Sequence, residues 1–98
     1  MKPCKDITPN IPVNVNIAKD QNEYQTLYAH RVPGPYGAMC FAVELSDKEI
    51  RQLKKSKRLF INVLTFNNPM QPLYITPYPK EAEQIVVSYY KETTKNDN

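Results

Sequence analysis

The sequence predicts an α+β domain: a small antiparallel or mixed sheet of four to six strands with one main surface helix at about 47–57. Three observations carry this. Side chains alternate in character over 13–17, 24–32 and 38–45, the period of a strand. Pro33-Gly34-Pro35-Tyr36-Gly37 holds both glycines of the chain and two of its nine prolines, so a turn separates the second and third of these runs. Ser46-Asp47-Lys48-Glu49 reads as a capping box, Ser46 being the N-cap and Glu49 the N3 residue, and Leu45 and Ile50 stand at the spacing of a hydrophobic staple.

Taken in order, residues 1–12 carry Pro3, Pro9 and Pro12 and read as an extended arm. Val13-Asn14-Val15-Asn16-Ile17 is a short edge strand and 19–23 a polar turn. Residues 24–32 form a strand that pairs with 36–45 as a hairpin. The helix at about 47–57 contributes chiefly Ile50 and Leu53 to the core, so it lies on a surface with its charges in water. Residues 59–66, Leu-Phe-Ile-Asn-Val-Leu-Thr-Phe, are apolar on both faces and are expected to be the most buried strand. A corner, Asn67-Asn68-Pro69-Met70-Gln71-Pro72, leads into a strand at 73–78 that Pro77 and Pro79 confine to an edge. After one helical turn at 80–84, Ile85-Val86-Val87-Ser88-Tyr89-Tyr90 favours a strand by its β-branched and aromatic content. Residues 93–98 read as a frayed polar tail. The 98 residues make one domain with a small core, which association with a second subunit would enlarge.

Composition narrows the classes of function. A net charge of +3 is mildly basic. It suits an anionic partner, and solubility accounts for it equally well. Duplex nucleic acid is disfavoured, because such binders carry a larger basic excess along one face. No apolar stretch reaches the roughly 18 residues of a membrane helix, and the start of the chain has no apolar signal region, so a cytoplasmic location is expected. Cys4 and Cys40 are too few for a metal motif and read as free thiols. No metal and no cofactor are expected. His30 is the single histidine and stands in no nucleophile motif; the nucleotide and hydrolase signatures are missing. A non-enzymatic protein is the expectation.

Anion binding has more to rest on. Six of the 13 Lys/Arg residues fall between Lys48 and Arg58, and Lys54, Lys55, Lys57 and Arg58 gather where the helix ends. Cations there complement the helix macrodipole, which explains the cluster without a ligand. The alternative is that they meet phosphate groups while an aromatic such as Tyr36, Phe66, Tyr74 or Tyr78 stacks on a base. Arg31 and His30 join them if strand pairing brings the two corners together. Asn68 and Gln71 offer amides on a rigid corner, where Asn and Pro are also simply good turn formers. The candidate ligand-binding residues are thus Arg31, Tyr36, Lys54, Lys57, Arg58, Phe66, Asn68 and Gln71.

Ala29-His30-Arg31, Glu44-Leu45-Ser46 and Leu64-Thr65-Phe66-Asn67-Asn68-Pro69-Met70-Gln71-Pro72 together resemble a group of small uncharacterised bacteriophage proteins. These share an Ala-His-Arg strand end, a helix start and a Leu-Thr-Phe-x-x-Pro-x-Gln-Pro corner. The likeness covers about half the chain, which departs from the group in lacking its aromatic pattern around Phe60-Ile61-Asn62. It implies a phage accessory protein that counters host defence in the cytoplasm of an infected bacterium. The leading expectation is a homo-oligomer that sequesters a small anionic nucleotide signal without cleaving it. Inhibition of a host defence protein through the edge strand and the Pro-rich corner is the alternative, and a minor virion or assembly role a third.

Overall fold

The computed structural model describes residues 1–17 and 26–96. Among these residues five strands and two helices follow one another as β1 (Lys2–Pro3), β2 (Val15–Ile17), β3 (Leu27–Arg31), β4 (Met39–Phe41), β5 (Val43–Glu44), α1 (Asp47–Ser56) and α2 (Pro79–Asn96). All strand pairing is antiparallel, in a three-stranded sheet ordered β2-β3-β4 and a two-stranded sheet of β1 and β5. The α+β class and the helix over 47–57 are as the sequence predicts. The polar turn expected at 19–23 lies outside the described residues.

The hairpin forms where alternation and the Pro-Gly turn place it. Ala29 faces Phe41, His30 faces Cys40 and Arg31 faces Met39, and the Val32 N–H donates to the Ala38 carbonyl at 2.8 Å. Gly37, at φ 58, takes the left-handed backbone that a side chain would disfavour in this turn. One face of the hairpin, with Val32, Ala38 and Cys40, packs under α2. Ile11, Val32 and Val86 form the buried cluster, and Ile7, Ala38, Cys40, Ala82 and Tyr89 pack around it.

Helix α2 is the largest departure from the sequence reading, which expects a strand at 85–90. Pro79 stands at the first helical position, where its fixed φ and missing N–H cost nothing, and Glu81 lies in the first turn. Ala82, Val86 and Tyr89 then recur at helical spacing and cover the sheet. Packing on that stripe overrides the β propensity of Ile85-Val86-Val87. The helix continues to Asn96, through residues read as part of a frayed tail.

The second departure is residues 57–78. No strand forms at 59–66 or 73–78, and the run expected to be the most buried is exposed. Phe60 is 79%, Leu64 84% and Phe66 81% accessible. A segment apolar on both faces needs cover on both sides. In this chain α2 packs on the Val32, Ala38 and Cys40 face of the sheet, and 59–66 has no such cover and runs out as an arm.

Candidate functional site

Helix α1 is capped as the sequence predicts and presents the basic cluster. Ser46 Oγ accepts from the Glu49 N–H at 3.2 Å, and Glu49 Oε1 accepts from the Ser46 N–H at 2.9 Å. The Met1 ammonium group also donates to the Glu49 carboxylate. That contact first, then the Ser46 N–H, holds the Glu49 carboxyl down to about 2 from an ordinary 4.5. The helix ends at Lys57, whose left-handed backbone (φ 57, ψ 29) lets its N–H reach the Leu53 carbonyl at 2.7 Å. Lys54 lies in the last turn. The Arg58 N–H donates to Ser56 Oγ at 3.3 Å. Lys54, Lys57 and Arg58 are all exposed, and among the described residues none is paired with a carboxylate.

Arg31 ends β3. Its backbone is clamped by Asn14, which accepts the Arg31 N–H at 2.7 Å and donates to its carbonyl at 3.1 Å, while the guanidinium stays in solvent. Tyr36 sits in the 33–37 turn, 63% exposed. Phe66 and Asn67 both adopt positive φ, 53 and 65, and the Asn68 N–H donates to the Thr65 carbonyl at 3.0 Å. These are the φ signs and the hydrogen bond of a type I′ hairpin turn, yet the flanking segments do not pair. Asn68 and Gln71 are exposed on the same arm. The eight candidate residues therefore occupy three surfaces: the hairpin end (Arg31, Tyr36), the end of α1 (Lys54, Lys57, Arg58) and the arm (Phe66, Asn68, Gln71). No hydrogen bond joins one surface to another among the described residues, and none of the eight is desolvated.

His30, by contrast, is buried. Nδ1 lies 2.6 Å from the Pro12 carbonyl oxygen and Nε2 2.6 Å from the Tyr90 hydroxyl. A carbonyl only accepts, so Nδ1 carries a proton, and Nε2 shares its hydrogen bond with the Tyr90 hydroxyl. His30 pins the N-terminal segment to α2 instead of joining the basic residues. Glu83 ties the same segment to α2, accepting from Thr8 Oγ1 at 3.0 Å and Asn10 Nδ2 at 3.1 Å.

The two thiols are held in their protonated forms. Burial pushes Cys40 up, and burial with the charges of Glu44 and Asp6 pushes Cys4 up. Among the described residues no group of three or more His, Cys, Asp or Glu residues is placed to hold a metal ion, and no helix is long and apolar enough to cross a membrane. A shallow depression runs along α2, lined by Lys80, Glu83, Gln84, Val87, Ser88 and Lys91, and contains no candidate residue.

Sequence reasoning missed an open sheet edge. The 32–38 and 4–42 hydrogen bonds turn the even-numbered residues of 38–44 toward β3 and β1. The N–H and C=O groups of Met39, Phe41 and Val43 point the other way and have no partner among the described residues. Phe41 and Val43 are also 50% and 41% exposed. The signal was in the sequence: 33–43 contains no charged residue to guard an edge. The sequence matches no protein-family model, and neither the curated proteins nor the solved structures contain a significant match to it.

Proposed function

We propose that this chain is a non-catalytic accessory protein that acts by binding protein, with the 59–78 arm as its binding element. On the resemblance to small phage proteins, its target is a host defence protein. The observation that carries the reading is the arm. Residues 59–79 contain no charged side chain, and Leu59, Phe60, Ile61, Val63, Leu64, Phe66, Met70, Leu73, Tyr74, Ile75 and Tyr78 along it are all largely exposed. Apolar surface this continuous marks an interaction site on a soluble chain. The test uses tagged protein with an intact arm beside F60D/L64D/F66D, which alters only side chains standing in solvent. A target recovered from host extract is purified and titrated against both. The variant is expected to bind at least ~30-fold more weakly, the scale of a hot-spot loss. Equal binding overturns the reading.

Sequestration of an anionic nucleotide is the second reading, favoured by the unpaired Lys54, Lys57 and Arg58 at the root of the arm. No hydrogen bond joins the three candidate surfaces among the described residues, so this reading takes a homo-oligomer to bring Arg31 and Tyr36 to the cations. Calorimetric titration against cyclic and linear nucleotides is expected to give saturable heat that K54A and R58A abolish, with unchanged nucleotide recovered after denaturation. No heat with any of them removes this reading and leaves the first intact.

A further inference from the structure

We infer that the apolar arm is covered by a second copy of this chain, each protomer adding its 59–65 segment as a strand to the open Met39–Phe41–Val43 edge of the other. This rests on reading the arm as a protein-binding element, and it makes a second copy, in place of a host protein, the occupant of its first segment. The chain carries two unfinished surfaces. One is the outer edge of β4 and β5, strands of two sheets that meet at Ala42, where the backbone groups of Met39, Phe41 and Val43 have no partner among the described residues. It has no Lys, Pro or inward charge of the kind that blunts an exposed edge. The other is the arm, whose Leu59-Phe60-Ile61-Asn62-Val63-Leu64-Thr65-Phe66 has strand composition and no strand partner. Seven extended residues span ~23 Å, enough to run the length of 39–45. A foreign protein seated on the arm leaves the edge bare. A second copy closes both at once, and a two-fold axis makes the exchange reciprocal and finite.

The area agrees. The chain exposes 8617 Å², where a folded monomer of this mass exposes about 5,800 Å². The excess of about 2,800 Å² is spread over the whole chain, and the arm and the edge need supply only the ~800 Å² per partner of an ordinary interface. Neither surface carries charge, so cationic or anionic partners have nothing to recognise there. The turn at Thr65–Asn68 fits the same picture. It holds Phe66 and Asn67 at positive φ, so the extended part of the arm ends at Thr65.

The experiment uses full-length chain. Light scattering at micromolar concentration is expected to give twice the mass of the 11.4 kDa chain. Unlabelled and ¹⁵N-labelled protein, each carrying a photoreactive phenylalanine analogue at position 60, are mixed, unfolded and refolded together. Irradiation is expected to give mixed-label cross-links between the arm and the 32–48 peptide. N62P and V63P are tested separately, because strand alternation means that one of the two removes a ladder hydrogen bond without touching the core. That one is expected to become monomeric with its helical circular dichroism intact. Same-label cross-links only, or both proline variants remaining dimeric, overturn the strand exchange. A wild-type monomer that still binds a purified foreign protein through the arm also overturns it, while leaving the protein-binding reading standing. A dimer that binds no host target supports the exchange and removes the host-target reading instead.

Discussion

At the scale of single residues, His30 decides more of the architecture than its sequence context announces. In an Ala-His-Arg run on a strand it reads as a candidate beside Arg31. The structure instead satisfies both ring nitrogens, one with Pro12 and the other with Tyr90, sixty residues away in sequence. That role was not legible, because it depends on where α2 lands. The consequence is measurable. Y90F leaves Nε2 of a buried ring without its hydroxyl partner, and the Tyr90 position is open enough for water to replace part of the loss. Urea denaturation is expected to show a destabilisation of about 1 kcal/mol. No change shows that the contact contributes nothing to holding the N-terminal segment on the helix. Arg31 was legible as an exposed strand-end cation, and that is where it stands.

At the scale of elements, legibility follows the range of the interactions that define each one. Helix α1 is written in local residues, since Ser46 and Glu49 cap it within one turn of chain. Because its carboxyl sits at about 2 when folded against 4.5 ordinarily, Glu49 contributes stability that is fully present above about pH 5 and lost as pH falls toward 2. E49Q is expected to flatten that part of the stability profile in acid denaturation between those limits. An unchanged slope assigns the acid sensitivity to other carboxylates. Helix α2 was misread because its local β propensity is real and its defining contacts are with Ile11 and Val32, far away in sequence. Neighbouring valines expose the difference: Val86 is 8% accessible and Val87 50%. V86A is expected to cost about 2 kcal/mol and V87A well under 1. Equal costs contradict a helix that buries one of the two.

At the scale of the whole molecule, the apolar run at 59–66 is legible as something that must be buried, and nothing in its pattern says in which copy. The single chain has a radius of gyration of 15.1 Å, against about 12.6 Å for a compact chain of this length. Its buried cluster is three aliphatic side chains. Strand exchange between two copies places most of the apolar burial in the interface, so folding and association become one equilibrium. The midpoint of thermal unfolding then depends on concentration. A tenfold dilution withdraws about 1.4 kcal/mol from a dimer, and at two to four degrees per kcal/mol for ~200 residues the midpoint is expected to fall by about 3–6 °C. A self-sufficient monomer has a midpoint that dilution does not move. F60D/L64D/F66D separates the two cases in one calorimetric series, because it removes arm contacts and leaves the Ile11, Val32 and Val86 cluster as it is. In the exchanged dimer the variant loses the concentration dependence and melts lower at every concentration. In a monomer those side chains already stand in water, and replacing them with aspartate leaves the midpoint where it was or raises it.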